Sequence, residues 1–388
     1  MYRIVSLLTV CLLIIISPKS RAMAEQTTPS TKYHVYIGNN AGQQKGGGIY
    51  HAILDTAQGT LSDAELVAKA ESPTFLTIHP NGRWLYAVTR EPNQKGGVVG
   101  FEIAGDGKLT QLGSSATTPA GPCHLTIDPS TKCLLVACYS SGCVTAHPLA
   151  NDGSVQEPAC VIQHKATEST AGKQTPPHAH YVQVDPQNGI AYVADAGLDK
   201  IMLYNLDADQ AQLTPHDPPF VSTSAGSGPR HLAFHPNRKF VYVNGETTGV
   251  AMAFSYDANT GSLSPLQELS TLPEDFKGKN TTAQIEVHPN GRFLYVSNRG
   301  HDSLAIFEIA SDGKLKMLGH HPSGGKTPRN FAVDPTGAFL LSANQGSNNI
   351  LLMKVDPETG KLTTTDRQIQ VAAPVCIKYL PIDDVNKK

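Results

Sequence analysis

One phrase returns along this chain, and its return restricts the possible folds more than any other feature of the sequence. It reads SPTFLTIHPNGRWLYAVTR, GPCHLTIDPSTKCLLVACY, PHAHYVQVDPQNGIAYVADA, GPRHLAFHPNRKFVYVNGE, TAQIEVHPNGRFLYVSNR and TPRNFAVDPTGAFLLSANQ. The proline of each His-Pro or Asp-Pro pair serves as an anchor: Pro80, Pro129, Pro186, Pro236, Pro289 and Pro335, separated by 49, 57, 50, 53 and 46 residues. A period of this size means one supersecondary unit laid side by side with its copies, because a single unit cannot bury its apolar face alone.

Each copy reads as four short strands: an apolar one before the anchor, a second ending six to ten residues after it, a third such as SLAIFEI, and a fourth after DGKL or TGKL. Pro-Asn-Gly at 80–82 and 289–291 supplies the turn between the first two. Gly 34 and Pro 27 fit a chain of many tight turns, and no long 3.6-residue apolar pattern argues for helix. An antiparallel four-stranded unit of about 50 residues, repeated, is a β-propeller blade. A seventh unit is divided between the ends: PVCIKYLP (374–381) reads as a first strand with nothing after it, and YHVYIGNN (33–40) as a second strand with nothing before it. The expectation is therefore an all-β, seven-bladed propeller of four-stranded antiparallel blades. Its C-terminal inner strand joins N-terminal outer strands and leaves no open edge.

The N-terminus stands apart. Arg3, an apolar run from Ile4 to Ile16 and the small-residue site Ala22-Met23-Ala24 form the layout of a cleaved secretory leader. About 13 apolar residues fall short of the roughly 20 that cross a bilayer, so no stable membrane anchor is expected. The division is a leader over 1–24, a linker over 25–32, the propeller over 33–381 and a tail over 382–388, with a periplasmic or secreted destination. Removing the leader takes three cations and no acid, moving the formal charge from −2 to −5, which argues against a nucleic-acid partner. Six cysteines remain, Cys123, Cys133, Cys138, Cys143, Cys160 and Cys376; they lack a paired zinc spacing, and disulfides and free buried thiols stay open alternatives.

The repeat also allows equivalent positions to be compared. Six residues before the anchor stand Thr74, Cys123, His180, Arg230, Ala283 and Arg329; ten after it stand Arg90, Tyr139, Ala196, Glu246, Arg299 and Gln345; nine after it stand Thr89, Cys138, Asp195, Gly245, Asn298 and Asn344. Antiparallel neighbours place the start of the first strand and the end of the second at the same end of a blade, so these sets gather round one mouth of the axial channel. Four arginines near an axis repel one another and resist burial, so they point to an anionic ligand. His124 and His231, one place further on, are expected to satisfy loop or backbone hydrogen bonds. His79, His235 and His288 alternate with Asp128, Asp185 and Asp334 at the anchor and are read as turn residues.

At these residues the chain resembles the seven-bladed lactonase family that contains bacterial-type 6-phosphogluconolactonase and fungal-type carboxy-cis,cis-muconate cyclase. PHAH with DAGLD, GPRHLAFHP with GE, YVSNRGHDSLAIFEI and TPRNFAVDPTGAFLLSANQGSNNI carry the resemblance across residues 176–350. It implies functional roles for His180, Arg230, Glu246 and Arg299, all of which the repeat comparison also selects. The chain departs from the family at Ala196, where Leu is usual, and at Ile285-Glu286, where an Ile-His pair is usual.

A lactone is an internal ester, and its hydrolysis needs an activated water, a base and positive charge at the developing oxyanion. Glu246 or His180 can serve as the base, and Arg230 and Arg299 can bind a substrate anion or stabilise the oxyanion. Arg329, Arg90, Asp195, Asn298, Gln345 and His178 complete the expected substrate-binding set, with Asp195 and Asn298 as orienting residues. His178 and His180 share a face in an extended segment but lack a third ligand, so no metal and no cofactor is expected. The partner implied is a small-molecule lactone. The contrasting reading is a non-catalytic propeller, with Glu246 and Arg230 an ion pair tying strands together, that binds an anionic ligand or a protein.

Overall fold

The computed structural model describes residues 31–90, 96–168 and 174–384, and over them the chain forms a ring of seven antiparallel sheets. The expected leader and all but the last two residues of the linker lie outside the described residues. Blade 4 shows the plan, with strands Pro229–Phe234, Phe240–Gly245, Val250–Tyr256 and Leu263–Ser270 hydrogen-bonded in sequence order. First strands of successive blades touch one another around the whole circle, so they line the axis. The closing blade pairs Pro374–Pro381 with Lys32–Asn39, running from Tyr33 opposite Pro381 to Ile37 opposite Ile377. Its outermost strand is broken into Thr60–Leu61 and Glu65–Lys69, both paired with Gly48–Asp55. Residues 382–384 form a short 3-10 turn. No helix among the described residues is long and apolar enough to cross a membrane.

The apolar core is itself a ring. Tyr242, Ala251 and Ala253 of blade 4 pack against Ile285, Leu294, Val296 and Phe307 of blade 5, and further clusters join the other neighbouring pairs. A polar joint accompanies the apolar one. The sixth residue after the anchor is Tyr86, Tyr192, Tyr242 or Tyr295 in four blades, with Tyr36 in the same place in the closing blade, and all five are fully buried. Each donates its hydroxyl to a turn glycine of the next blade: Gly153 at 2.9 Å, Gly261 at 2.7 Å, Gly313 at 3.0 Å, Gly360 at 2.9 Å and Gly107 at 3.1 Å. These are the glycines of the DGKL, TGKL and related turns, held at φ between 68° and 85°. A Cβ on Gly313 would lie 2.2 Å from the Phe240 ring, so conformation and space both demand glycine there.

The anchor residues make a second joint. His235 Nε2 donates to Gly291 O at 2.7 Å and His288 Nε2 to Gly337 O at 2.8 Å, in each case a turn of the next blade. Their Nδ1 atoms accept the N–H of Asn237 and Asn290 within their own turns. Asp185 reaches the next blade as well, accepting from Arg238 at 2.7 and 2.8 Å and from Tyr256 at 2.5 Å. These residues shape turns, as expected, and also lock neighbouring blades.

On the axis, the fifth residue before the anchor is aromatic or imidazole in four blades. Phe75, His124, Tyr181 and His231 stack with ring centres 4.0 to 5.9 Å apart, and Phe75 of blade 1 meets His231 of blade 4 across the hole. The channel is therefore stopped part-way. Beyond the stopper lies Glu286, which burial pushes up to about 8 against the opposing pull of Lys378.

Two outcomes follow from these joints. Tyr242→Phe leaves the Gly313 carbonyl buried without a donor and should lower stability by about 1–3 kcal/mol in denaturant unfolding. Glu286 binds its proton more tightly when folded, so it lowers stability as pH rises from the ordinary 4.5 to about 8. Glu286→Gln should therefore gain stability relative to the parent across that window and match its pH dependence outside it, as read from thermal unfolding at successive pH values.

Candidate active site

A regular strand turns successive side chains to opposite faces, so positions six and five before the anchor could not both face the axis. The first strands escape this rule by bulging. In six blades the pairing with the second strand slips at this point, leaving Cys123, His180, Arg230, Ala283, Arg329 and, in the closing blade, Val375 out of the ladder. A bulge re-aims the extra residue and bends its strand. One residue per blade is thereby released towards the mouth while its neighbour still fills the stopper.

Glu246 stands at the centre of this group. Arg299 Nη2 donates to its Oε1 at 2.5 Å, and Arg230 Nε lies 3.4 Å from its Oε2. Arg299 also donates to Thr282 O at 2.8 Å, and Arg230 to the Ala283 carbonyl. Burial works to raise the Glu246 carboxyl, but Arg230, Arg299 and Arg329 outweigh it and hold it below the ordinary Glu value. The carboxylate is ionised at neutral pH. Arg329 is largely buried, feels Arg299 and Arg90 as like charges, and has no carboxylate or carbonyl partner among the described residues. Arg90 is exposed on the rim. It marks the edge of a cavity of about 1180 Å³ that also reaches Lys45, Lys69, Glu71 and Ser140 and lies beside the mouth rather than over Glu246.

The opposite wall is aromatic. Burial, followed by Arg230 and Arg329, drives His180 well below its ordinary value, and its buried Nδ1 has no partner. Tyr139 meets the His180 ring edge-on at 5.4 Å and stacks on His178 at 4.5 Å, 12° from parallel. His178 Nδ1 is fixed 3.0 Å from the Tyr139 carbonyl. The Cys123 thiol sits among the Ala137, Ala179 and His180 carbonyls and is pushed up to about 12, chiefly by burial, so it remains a neutral thiol. All six described cysteines are free.

The structure corrects three expectations. Asp195 and Asn298 do not face the mouth: both are fully buried, and their polar atoms are taken up inside the protein. Asn298 holds Thr271 and Asn280, while Asp195 binds His164 and the backbone of its own loops. They orient loops, as expected, but their buried side chains do not line the mouth as members of a substrate-binding set would. The His231 ring bonds no backbone: Arg230 Nη1 donates to its Nε2 at 3.1 Å, which makes Nδ1 the donor to Gln284 Oε1 at 2.8 Å. His124 keeps the expected backbone bond, accepting Val182 N–H at 3.4 Å. Gln345 lies half-buried at the end of its strand. Sequence reasoning passed over Tyr139 although it stands among the tenth-residue positions, and it had no signal for His164. Two long connections, 163–179 and 272–282, lead into blades 3 and 5, and 169–173 of the first lie outside the described residues. The other delivers Thr282, whose N–H binds the Glu246 carbonyl at 3.1 Å.

A propeller with a blind, arginine-rich mouth and one ionised carboxylate is the architecture of an ester-opening enzyme of the lactonase class. The chain matches the family described as "Lactonase, 7-bladed beta-propeller" over residues 34–379, and it belongs to that family. It is 36% identical over 355 residues to the 6-phosphogluconolactonase of Bacillus subtilis (strain 168), covering 90% of this chain and 99% of that protein. It is likewise 36% identical over 327 residues to the 6-phosphogluconolactonase of Serratia proteamaculans (strain 568), covering 82% and 94%. Among solved structures, the periplasmic gluconolactonase of Pseudomonas aeruginosa superposes with a TM-score of 0.84 at 30% identity, over 90% of this chain and 99% of that one. The protein is thus a lactone hydrolase.

The buried imidazoles beneath and beside the mouth have a direct signature. The imidazole signals of His124, His180 and His231 should not titrate between about pH 6 and 8 in histidine NMR spectra, since burial leads the causes that drive all three well below 6.5.

Proposed function

We propose that the protein hydrolyses a sugar lactone with Glu246 as general base, Arg230 and Arg299 stabilising the oxyanion, and no metal ion in the chemical step. The observation that carries this reading is the double engagement of Glu246 by Arg299 and Arg230 in a mouth where Arg329 has no ion-pair partner among the described residues. Glu246 takes a proton from water as the water oxygen bonds to the lactone carbonyl carbon. At that moment the carboxylate loses its charge and the oxyanion gains one. Two guanidinium groups are freed from their counter-ion as a new anion appears beside them, so a weakly basic carboxylate remains effective. Collapse of the intermediate breaks the ring C–O bond, and the proton held on Glu246 passes to the leaving alkoxide to give the open hydroxy acid. Neutral His180, with its free Nδ1, offers a hydrogen bond to a sugar hydroxyl. Among the described residues no three His, Cys, Asp or Glu side chains converge in a set able to hold a metal ion.

The charge of the mouth supports an anionic substrate. Glu246 offsets part of the charge of Arg230 and Arg299, whereas among the described residues Arg329 and Arg90 have no ion-pair partner of their own, which suits a phosphoryl group bound through paired N–H donors. A phosphorylated sugar lactone is the reading preferred here, in keeping with the names of the Bacillus and Serratia relatives. The secretory leader expected over 1–24, together with the likeness to a periplasmic gluconolactonase, favours the unphosphorylated lactone and an exported enzyme as the second reading.

The test is acid release in a pH-stat over a panel that includes glucono-δ-lactone and its 6-phosphate, with spontaneous hydrolysis subtracted. Release equal to the blank for every compound rejects the lactonase reading. Glu246→Gln should lower kcat by about 10²- to 10⁴-fold while leaving binding largely intact. A comparable loss in His180→Asn with Glu246→Gln still active would move the base to His180. Arg329→Ala should raise KM about tenfold or more for the 6-phosphate and leave the unphosphorylated lactone nearly unchanged; equal effects on both would favour the second reading.

A further inference from the structure

Asp195 and His164 form the most deeply enclosed polar pair beside the mouth, with both side chains wholly buried and His164 Nδ1 2.5 Å from Asp195 Oδ2. Other blades close the same corner with neutral groups. In blade 5 Asn298 holds Thr271, and in blade 6 Asn344 holds the Ser323 carbonyl. His164, Thr271 and Ser323 are equivalent, since the N–H of each binds the carbonyl of the hairpin turn beside it, at Gly142, Gly249 and Asp302. Burying a carboxylate and an imidazole where an amide and a hydroxyl suffice is costly. The carboxylate does what an amide cannot, because it accepts through both oxygens.

Its Oδ1 collects three backbone N–H groups, from His178 at 2.7 Å, Gly197 at 3.0 Å and Leu198 at 3.1 Å. Two separate loops are gathered onto one oxygen, and they pack so tightly that a Cβ on Gly197 would lie 1.9 Å from the Pro176 carbonyl. One of those loops presents His178 to the Tyr139 ring and, two residues on, His180 to Arg230 and Arg329. His164 keeps Oδ2 engaged from behind, its Nε2 has no hydrogen-bond partner among the described residues, and its ring lies nearly parallel to Tyr204 at 6.1 Å.

We propose that His164 and Asp195 are positioning residues of the active site, fixing the His178 backbone so that the His178–Tyr139–His180 wall stands at its working distance from Glu246. The measure of this in turnover rests on the lactonase reading; the measure in structure does not. His164→Ala should lower kcat about tenfold or more on a lactone the parent hydrolyses, because small misplacements in an active site are expensive, while KM changes little. His164→Gln, whose amide can donate to Asp195, should recover most of that loss. Combining His164→Ala with His178→Ala should cost no more than the worse single change, since both act through one wall. Losses that multiply, or a folded His164→Ala with parental kcat, would overturn the proposal. The imidazole NMR signals of His178 and His180 are recorded on the same proteins and should shift in His164→Ala although neither ring is bonded to His164; unshifted signals overturn it even where no lactone is turned over. If His164→Ala does not fold, His164→Leu replaces it: it fills the space but cannot donate to Asp195 Oδ2. It should show the same fall in kcat, and parental kcat there would refute the pair's role.

Discussion

The ring holds because five of its seven blades are fastened to the next by a tyrosine hydroxyl that ends on a turn glycine. A lone four-stranded sheet would leave the second-strand tyrosine facing solvent and the turn carbonyl bound to water. Side by side, the blades bury both and pair them, as Tyr242 with Gly313 and Tyr192 with Gly261 illustrate. Such a contact needs a ring aimed across the gap, a glycine at positive φ and an apolar layer around them, and the repeat supplies all three. Where the tyrosine is replaced by Leu135 or Leu341, packing must carry the joint without the hydrogen bond. Closure by Pro374–Pro381 on Lys32–Asn39 then ties the two ends of the chain into the same circle, which removes the one seam where strands could separate.

A circle of identical units would have an empty or uniformly lined hole. This hole is neither, because the first strands bulge just below the mouth. The residue skipped by the ladder turns upward and its neighbour turns inward, so consecutive residues take opposite tasks: Arg230 belongs to the mouth and His231 to the stopper. The contact between them, Arg230 Nη1 to His231 Nε2, joins the two layers and fixes the His231 tautomer. The stopper in turn gives the site a floor, and with it the low-polarity surroundings that strengthen every charge pair above it.

Much of this could be read from the chain. The anchors and their spacing carried the blade count, the divided seventh blade and the convergence of Arg230, Glu246 and Arg299, because each depends only on strand order and direction. The orienting role of Asp195 and Asn298 was legible too, but not their withdrawal from the mouth: position along a strand says which end a residue occupies, not whether a buried partner draws its side chain inward. His164 lies in a stretch without repeat signal, and its partner is 31 residues away. Tyr139 was in plain sight, but nothing in the sequence told that two histidines of the following blade would stack on it. The bulge is the deepest omission, since a one-residue slip leaves no mark in composition or period.

The mouth is poorly explained by stability alone. Buried ion pairs rarely outperform well-packed apolar groups, and removing water from Arg230 and Glu246 costs several kcal/mol per ion before their attraction offsets it. A propeller that needed only to hold its strands together could use the tyrosine joint again. The chain instead gathers Arg230, Arg299 and Arg329 round a single carboxylate and leaves Arg329 without an ion-pair partner among the described residues. An excess of positive charge is unfavourable in the empty site and becomes favourable when an anion arrives, so the energy stored against burial is returned on binding. In the proposed reaction Glu246 is ionised at rest and neutral once it has accepted a proton, so that excess would grow as the lactone carbonyl takes on negative charge. On that proposal the arrangement suits the transition state of ester opening better than either the free enzyme or a passively bound ligand.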